Sequence, residues 1–237
     1  MLKPFGLYTA MIAAGLLFLV LGEKIGKYFS LHPALVLLAL FVAANLLTVN
    51  VLNLQAELKT YWSVWKAHTF IWGCLVGAAL AFTPVLIAFI MGKSLPAKGN
   101  LVLSLHGIAL TLCIITWEEL WFRGLATNYL ASKSSPMAAA LYASLLFTLM
   151  HLMNPAINFL TAAPNLFLGS LILTSGYFYF KSIYFALGLH FFWNMFGSSA
   201  VGLLGLAVPS GAFWGQEGTL TNILLAAGSL IFLVLGK

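Results

Sequence analysis

Charge is what this sequence has least of. Only 7% of its 237 residues are charged, against about 25% in an ordinary soluble domain, which excludes water as the main solvent. Aspartate is missing altogether, and the chain holds a single arginine, Arg123. The net charge of +6 rests on lysines at the ends of apolar runs, a placement that suits snorkelling and anionic headgroups. Nucleic acid is therefore not expected as a partner. Cys74 and Cys113 sit in separate apolar segments with no CxxC spacing, which excludes a disulfide framework or a zinc finger and leaves them as small packing residues. The first apolar run is followed by Glu23-Lys24 without an A-x-A-like cleavage site, so it reads as a span and not a signal peptide. No stretch between the apolar runs is long and polar enough to fold separately, and residues 1–237 read as one membrane domain.

What is present is apolar length. A helix rises 1.5 Å per residue, so crossing ~30 Å of hydrocarbon takes ~20 apolar residues. Eight runs of about that size occur, near 5–22, 33–54, 68–92, 106–131, 136–153, 164–180, 182–200 and 219–236. They do not alternate apolar with polar residues as barrel strands do. The expected fold is all-α: a polytopic membrane helical bundle of about eight transmembrane helices. No internal repeat is visible, so an inverted-repeat transporter gains no support. Lysine counts favour cytoplasmic termini by six to four, a slight bias. Asn45, Thr48, Asn50 and Asn53 suit interhelical hydrogen bonding, and Gly73-x-x-x-Gly77 suits a close helix approach.

Against that background a few residues are out of place. An ionisable group in a span costs at least ~2.5 kcal/mol and needs a partner or a function. Thr116-Trp-Glu-Glu-Leu-Trp-Phe-Arg-Gly124 puts two of the five carboxylates and the one arginine into a single apolar run. At ~100° per residue, Glu119 and Arg123 are nearly in line and can pair, while Glu118 points elsewhere. One carboxylate is neutralised, and the other is left for chemistry as a general base. A packing role as a buried ion pair accounts for Glu119 and Arg123 but leaves Glu118 unexplained. The fifth run ends in Phe147-Thr-Leu-Met-His151, and the seventh contains His190-Phe-Phe-Trp-Asn194, with His and Asn one turn apart. His32, His68 and His106 lie near segment ends and read as interfacial. Measured from the N-terminal side of the bilayer, Glu118, His151, His190 and Asn194 share a layer roughly 13 to 22 Å deep.

Glu-Glu-x-x-x-Arg at 118–123, Phe-x-x-x-His at 147–151 and His-x-x-x-Asn at 190–194 occur in that order on three expected spans. In this the chain resembles the CPBP group: the type 2 CAAX prenyl endopeptidases with the abortive-infection and bacteriocin-processing membrane proteins. The resemblance covers about residues 100–200, the catalytic core it implies. It implies an intramembrane endopeptidase in which Glu118 activates water with help from His151, and His190 and Asn194 stabilise the oxyanion. Glu119 and Arg123 would hold the helix and the carboxylate in place. The family is described both as metal-dependent and as glutamate-type. Two His plus Glu suit zinc, with Glu118, His151 and His190 as ligands. However, HExxH spacing is absent and Asn194 is a poor zinc ligand, so the metal-free form is favoured. No serine or cysteine in these motifs has a nearby base, which favours direct attack by water. The implied partners are a polypeptide, such as a protein terminus or a lipidated tail, and membrane lipid. The implied location is the plasma membrane of a prokaryote. The alternative from another class is a non-catalytic membrane protein: an immunity factor, a chaperone-like factor or a proton-coupled carrier.

Overall fold

The computed structural model describes residues 66–92, 105–153, 158–197 and 218–236. All of them fall within the compact unit Val64–Lys237. The spans expected near 5–22 and 33–54, with His32 and the Asn45 to Asn53 cluster, lie outside the described residues. Every regular element among the described residues is helical. In chain order these are α1 (Ala67–Ile90), α2 (Leu105–Glu119), α3 (Asn128–Ala131), α4 (Pro136–Met150), α5 (Phe159–Phe180), α6 (Ile183–Phe192) and α7 (Thr219–Leu235). A π-helical segment, Leu120–Thr127, joins α2 to α3, and a second, Trp193–Gly197, follows α6. His151–Met153 closes α4 as a 3-10 turn. Two of these helices, α1 and α5, are long and apolar enough to cross a membrane.

The breaks follow local chemistry. At the start of α4 the Ser135 hydroxyl accepts a bond from the Ala138 amide at 3.2 Å, and Pro136 occupies the first turn, where its missing N–H is no loss. Lys181 ends α5 in the left-handed region (φ 49°), and the extended Ser182 then starts α6. One boundary differs from the sequence reading. The sixth run was expected to open at Pro164, yet α5 begins at Phe159 and holds Pro164 inside it. Near a helix start a proline forfeits only one backbone bond, so it need not mark the end of the preceding loop.

Large apolar side chains face outward as well as inward. Ile71, Trp72, Leu75 and Leu86 on α1, and Ile223, Leu230 and Ile231 on α7, are exposed, whereas Glu119, Arg123 and Ser170 are completely buried. Hydrocarbon outside the bundle makes that distribution favourable, because only the interior offers polar partners. Helix α1 packs along α6, and α5 packs on both α4 and α7. The α1–α6 contact explains Gly73-x-x-x-Gly77. A Cβ on Gly73 would strike the Phe185 carbonyl, one on Gly77 the Leu189 carbonyl, and one on Gly188 the Phe70 carbonyl. Glycine on both sides lets the two backbones touch. Next to this seam Ile172, Leu173, Phe185, Leu189 and Leu225 form a buried apolar cluster, with Phe180 stacked on Phe185 at 4.3 Å. At one end Asn165 of α5 donates to Asn222 of α7 at 3.3 Å.

Candidate active site

The Glu-Glu pair stands where α2 turns into the π-helical segment. A π turn takes up an extra residue and opens the regular bonding ladder, a feature often found at functional sites. Side chains close the gaps here. The Thr127 hydroxyl donates to the Phe122 carbonyl at 2.6 Å, and the Asn128 amide donates to the carbonyls of Arg123 (3.0 Å) and Gly124 (2.8 Å). Asn128 also meets the Tyr177 hydroxyl of α5 at 2.8 Å, which ties the segment to the neighbouring helix.

Arg123 Nη1 donates to Glu119 Oε1 at 3.0 Å, the pairing the four-residue spacing predicts. Its Nη2 donates to Ser170 Oγ (2.8 Å) and to the Ser170 carbonyl (3.2 Å). The guanidinium lies 5.0 Å from the centroid of the Phe147 ring, in the range of a cation–π contact. A buried arginine therefore has an anion, a hydroxyl, a carbonyl and an aromatic face around it, as a charge in low dielectric requires. Ser170 was not singled out in the sequence, where one serine in an apolar helix carries no signal of its own.

The second partner of Glu119 is the less expected one. His190 Nδ1 stands 2.7 Å from Glu119 Oε1, so that oxygen joins the imidazole to Arg123. The opposite ring nitrogen, Nε2, faces Glu118 Oε2 at 3.5 Å. Both carboxylates thus address one imidazole from its two ends, although helical spacing sent them to different faces. Glu119 is sealed at 0% exposure, while Glu118 retains 7% and His190 6%.

His151 caps α4, and its Nδ1 lies 2.8 Å from the Phe147 carbonyl, an acceptor, so Nδ1 is the donor of that bond. Its ring packs on Phe147 at 4.7 Å, and the ring of His190 approaches the same phenyl at 6.2 Å. Phe147 thus touches both imidazoles and the arginine. The imidazole that reaches Glu118 directly is that of His190. Asn194 is half-buried in the second π-helical segment, just past His190. His68, read as interfacial, is exposed at the start of α1.

A zinc ion would need Glu118, His151 and His190 to converge. Among the described residues no three His, Cys, Asp or Glu side chains are grouped to hold a metal ion. Nδ1 of His190 is turned to Glu119 and Nδ1 of His151 to a carbonyl, outer bonds of the kind that also orient metal-ligating imidazoles, and His190 Nε2 faces Glu118 at 3.5 Å.

This geometry lies within the reach of one family model. Residues 100–196 match the type II CAAX prenyl endopeptidase, Rce1-like, family. Over that segment the chain is similar to this family. The match takes in the Glu118 to Arg123 cluster, His151, His190 and Asn194 together. Type II CAAX endopeptidases are membrane-integral proteases acting on polypeptides, which agrees with apolar helices around a polar interior. Comparisons with curated proteins and with solved structures find no match.

Proposed function

We propose that this protein is an intramembrane endopeptidase in which Glu118 draws a proton from water as the oxygen attacks a peptide carbonyl. The observation that carries the reading is the pairing of a sealed carboxylate with a less sealed one across a single imidazole, Glu119 on Nδ1 and Glu118 on Nε2. A packing role accounts for the pairing of Glu119 with Arg123 and of Arg123 with Ser170, and does not call on Glu118. Peptide hydrolysis has, since it needs a base for water and donors for the developing oxyanion. His151, its ring fixed by the Nδ1 bond to the Phe147 carbonyl, is the proposed assistant of Glu118. His190 and Asn194 serve the tetrahedral oxygen. The carrier and immunity-factor readings explain the buried charge but not two imidazoles and an amide beside it.

Around this site we propose one membrane domain over residues 1–237 with about eight spans, in a prokaryotic plasma membrane, and a substrate that enters as a protein terminus or lipidated tail. Water activation in this reading is metal-free. The test compares protein termini in membranes holding the wild type with those holding Glu118→Ala. New termini that depend on Glu118 support the reading, and identical terminomes refute it. Dialysis of the purified protein against a strong chelator should leave cleavage intact; stoichiometric zinc lost together with activity would overturn the metal-free form.

A further inference from the structure

The geometry points to Asn128 and Tyr177 as positioning residues for the carboxylate pair: through them α5 holds Leu120–Thr127 in its π-helical form, and that form turns Glu118 and Glu119 to His190. The consequence for turnover rests on the protease reading, whereas the bonds themselves do not. Arg123 bonds Ser170 and Asn128 bonds Tyr177, so both reach α5. On α5 those partners are seven residues apart, two turns along one face, and both are buried. Opposite them, Arg123 and Asn128 are five apart, and in a regular α-helix side chains at that spacing point ~140° away from each other. A π turn closes by i→i+5 bonds, which brings such a pair toward one line. The same turn acts on what precedes it. Each residue that a π turn adds rotates the preceding helix by ~100° against the following one. With Asn128 kept on Tyr177, relaxation to α-helix would therefore swing Glu118 and Glu119 off the imidazole of α6, which Glu119 reaches at 2.7 Å.

The direction of the bonds explains why Tyr177 matters. An asparagine amide has two hydrogens. Those of Asn128 Nδ2 go to the carbonyls of Arg123 (3.0 Å) and Gly124 (2.8 Å). The Tyr177 hydroxyl, 3.0 Å from Asn128 Oδ1, is then the donor. It fixes the amide in the orientation that serves both carbonyls, since a flipped amide would set Oδ1 against two carbonyl oxygens. The Thr127 hydroxyl adds a bond to the Phe122 carbonyl at 2.6 Å. Two side-chain bonds, Thr127 to Phe122 and Asn128 to Arg123, thus repeat the five-residue spacing of the π turn. Without the Tyr177 donor the second of them loses its fixed partner.

The test is solid-state NMR of the full-length protein in lipid bilayers, read as two carbon–nitrogen dipolar couplings. Arg123 is the single arginine, so a carbon-13 label in the arginine carbonyl reports on it alone, against nitrogen-15 in asparagine side chains. The second coupling runs from glutamate carboxyl carbon to histidine Nδ1 and is assigned by its loss in His190→Gln. Wild type should show both. In Tyr177→Phe both should weaken, and kcat should fall about tenfold or more with KM nearly unchanged, because the carboxylates are misplaced and not removed. In Asn128→Leu the carboxyl–imidazole coupling should be lost and kcat should fall by about 10². A lower melting temperature in Tyr177→Phe with both couplings and kcat unmoved would reduce the pair to packing and overturn the inference. Wild-type protein without the arginine–asparagine coupling would overturn it too. Glu118→Gln, assayed beside these, separates the two ideas. Wild-type cleavage there removes the general base and leaves the couplings to judge the placement, whereas an inactive Glu118→Gln beside unmoved couplings in Tyr177→Phe removes only the role of Asn128 and Tyr177.

Discussion

Where α1 meets α6, backbone lies on backbone: Gly73, Gly77 and Gly188 leave no room for a Cβ, and no charged group takes part. Where the π-bearing end of α2 meets α5 and α6, side chains fill the gap instead, with Arg123 bonded to Glu119 and Ser170, and Glu119 to His190. The glycine seam is held by close van der Waals packing, which lipid cannot supply between two helix backbones. The polar junction works differently, since each of its members is costly to bury alone and tolerable only in company. One region should thus tolerate loss of polarity but not gain of volume, and the other the reverse. The difference also separates scaffold from chemistry, because only the polar junction contains groups able to move a proton.

The largest effect should come from breaking the polar junction at its cation. Arg123→Ala strands the Glu119 carboxylate in low dielectric and should cost about 3 to 5 kcal/mol of stability. Removing both partners in Glu119→Ala/Arg123→Ala should cost less than Arg123→Ala alone, because no charge is then left unpaired. Unfolding measured in mixed micelles reads both, and an Arg123→Ala protein as stable as the wild type would contradict the pairing.

A smaller loss is expected at the glycine seam. Gly188→Ala sets a methyl group against the Phe70 carbonyl. Backbone cannot step aside as a side chain can, and the substitution should cost about 1 to 3 kcal/mol. Cleavage per folded molecule should be kept. A Gly188→Ala protein with normal stability but lost turnover would place this seam in the mechanism and undo the comparison. The smallest effect belongs to the outer face: Ile231, 55% exposed on α7, should accept leucine within about 0.5 kcal/mol in the same measurement.

These contrasts were unevenly legible beforehand. The Glu119–Arg123 pair follows from a four-residue spacing, and the three motifs stand out because ionisable residues are rare in apolar runs. The six later runs fall on described helices, of which α1 and α5 are long and apolar enough to cross a membrane. The bond between Glu119 and His190 was not legible, because it joins residues 71 positions apart and depends on how α6 packs beside α2. Helical spacing sends Glu118 and Glu119 to different faces and does not reveal that one imidazole reaches both. Neither π-helical segment announces itself; in Leu120–Thr127 the opened ladder is met by Thr127 and Asn128 in ways composition does not encode. The glycines of α1 were a weak signal until Gly188 supplied the other half of the contact.

The most direct test of the central claim is turnover by the purified full-length protein in lipid vesicles. The substrate is a peptide identified by the terminus comparison, and wild type is set against Glu118→Gln at matched melting temperature. The Glu118 carboxylate is the proposed base, and its amide isostere keeps the volume while losing the proton acceptor. Turnover should fall by about 10² or more. A Glu118→Gln protein that cleaves within about twofold of wild type would contradict the assignment of Glu118 and with it the mechanism.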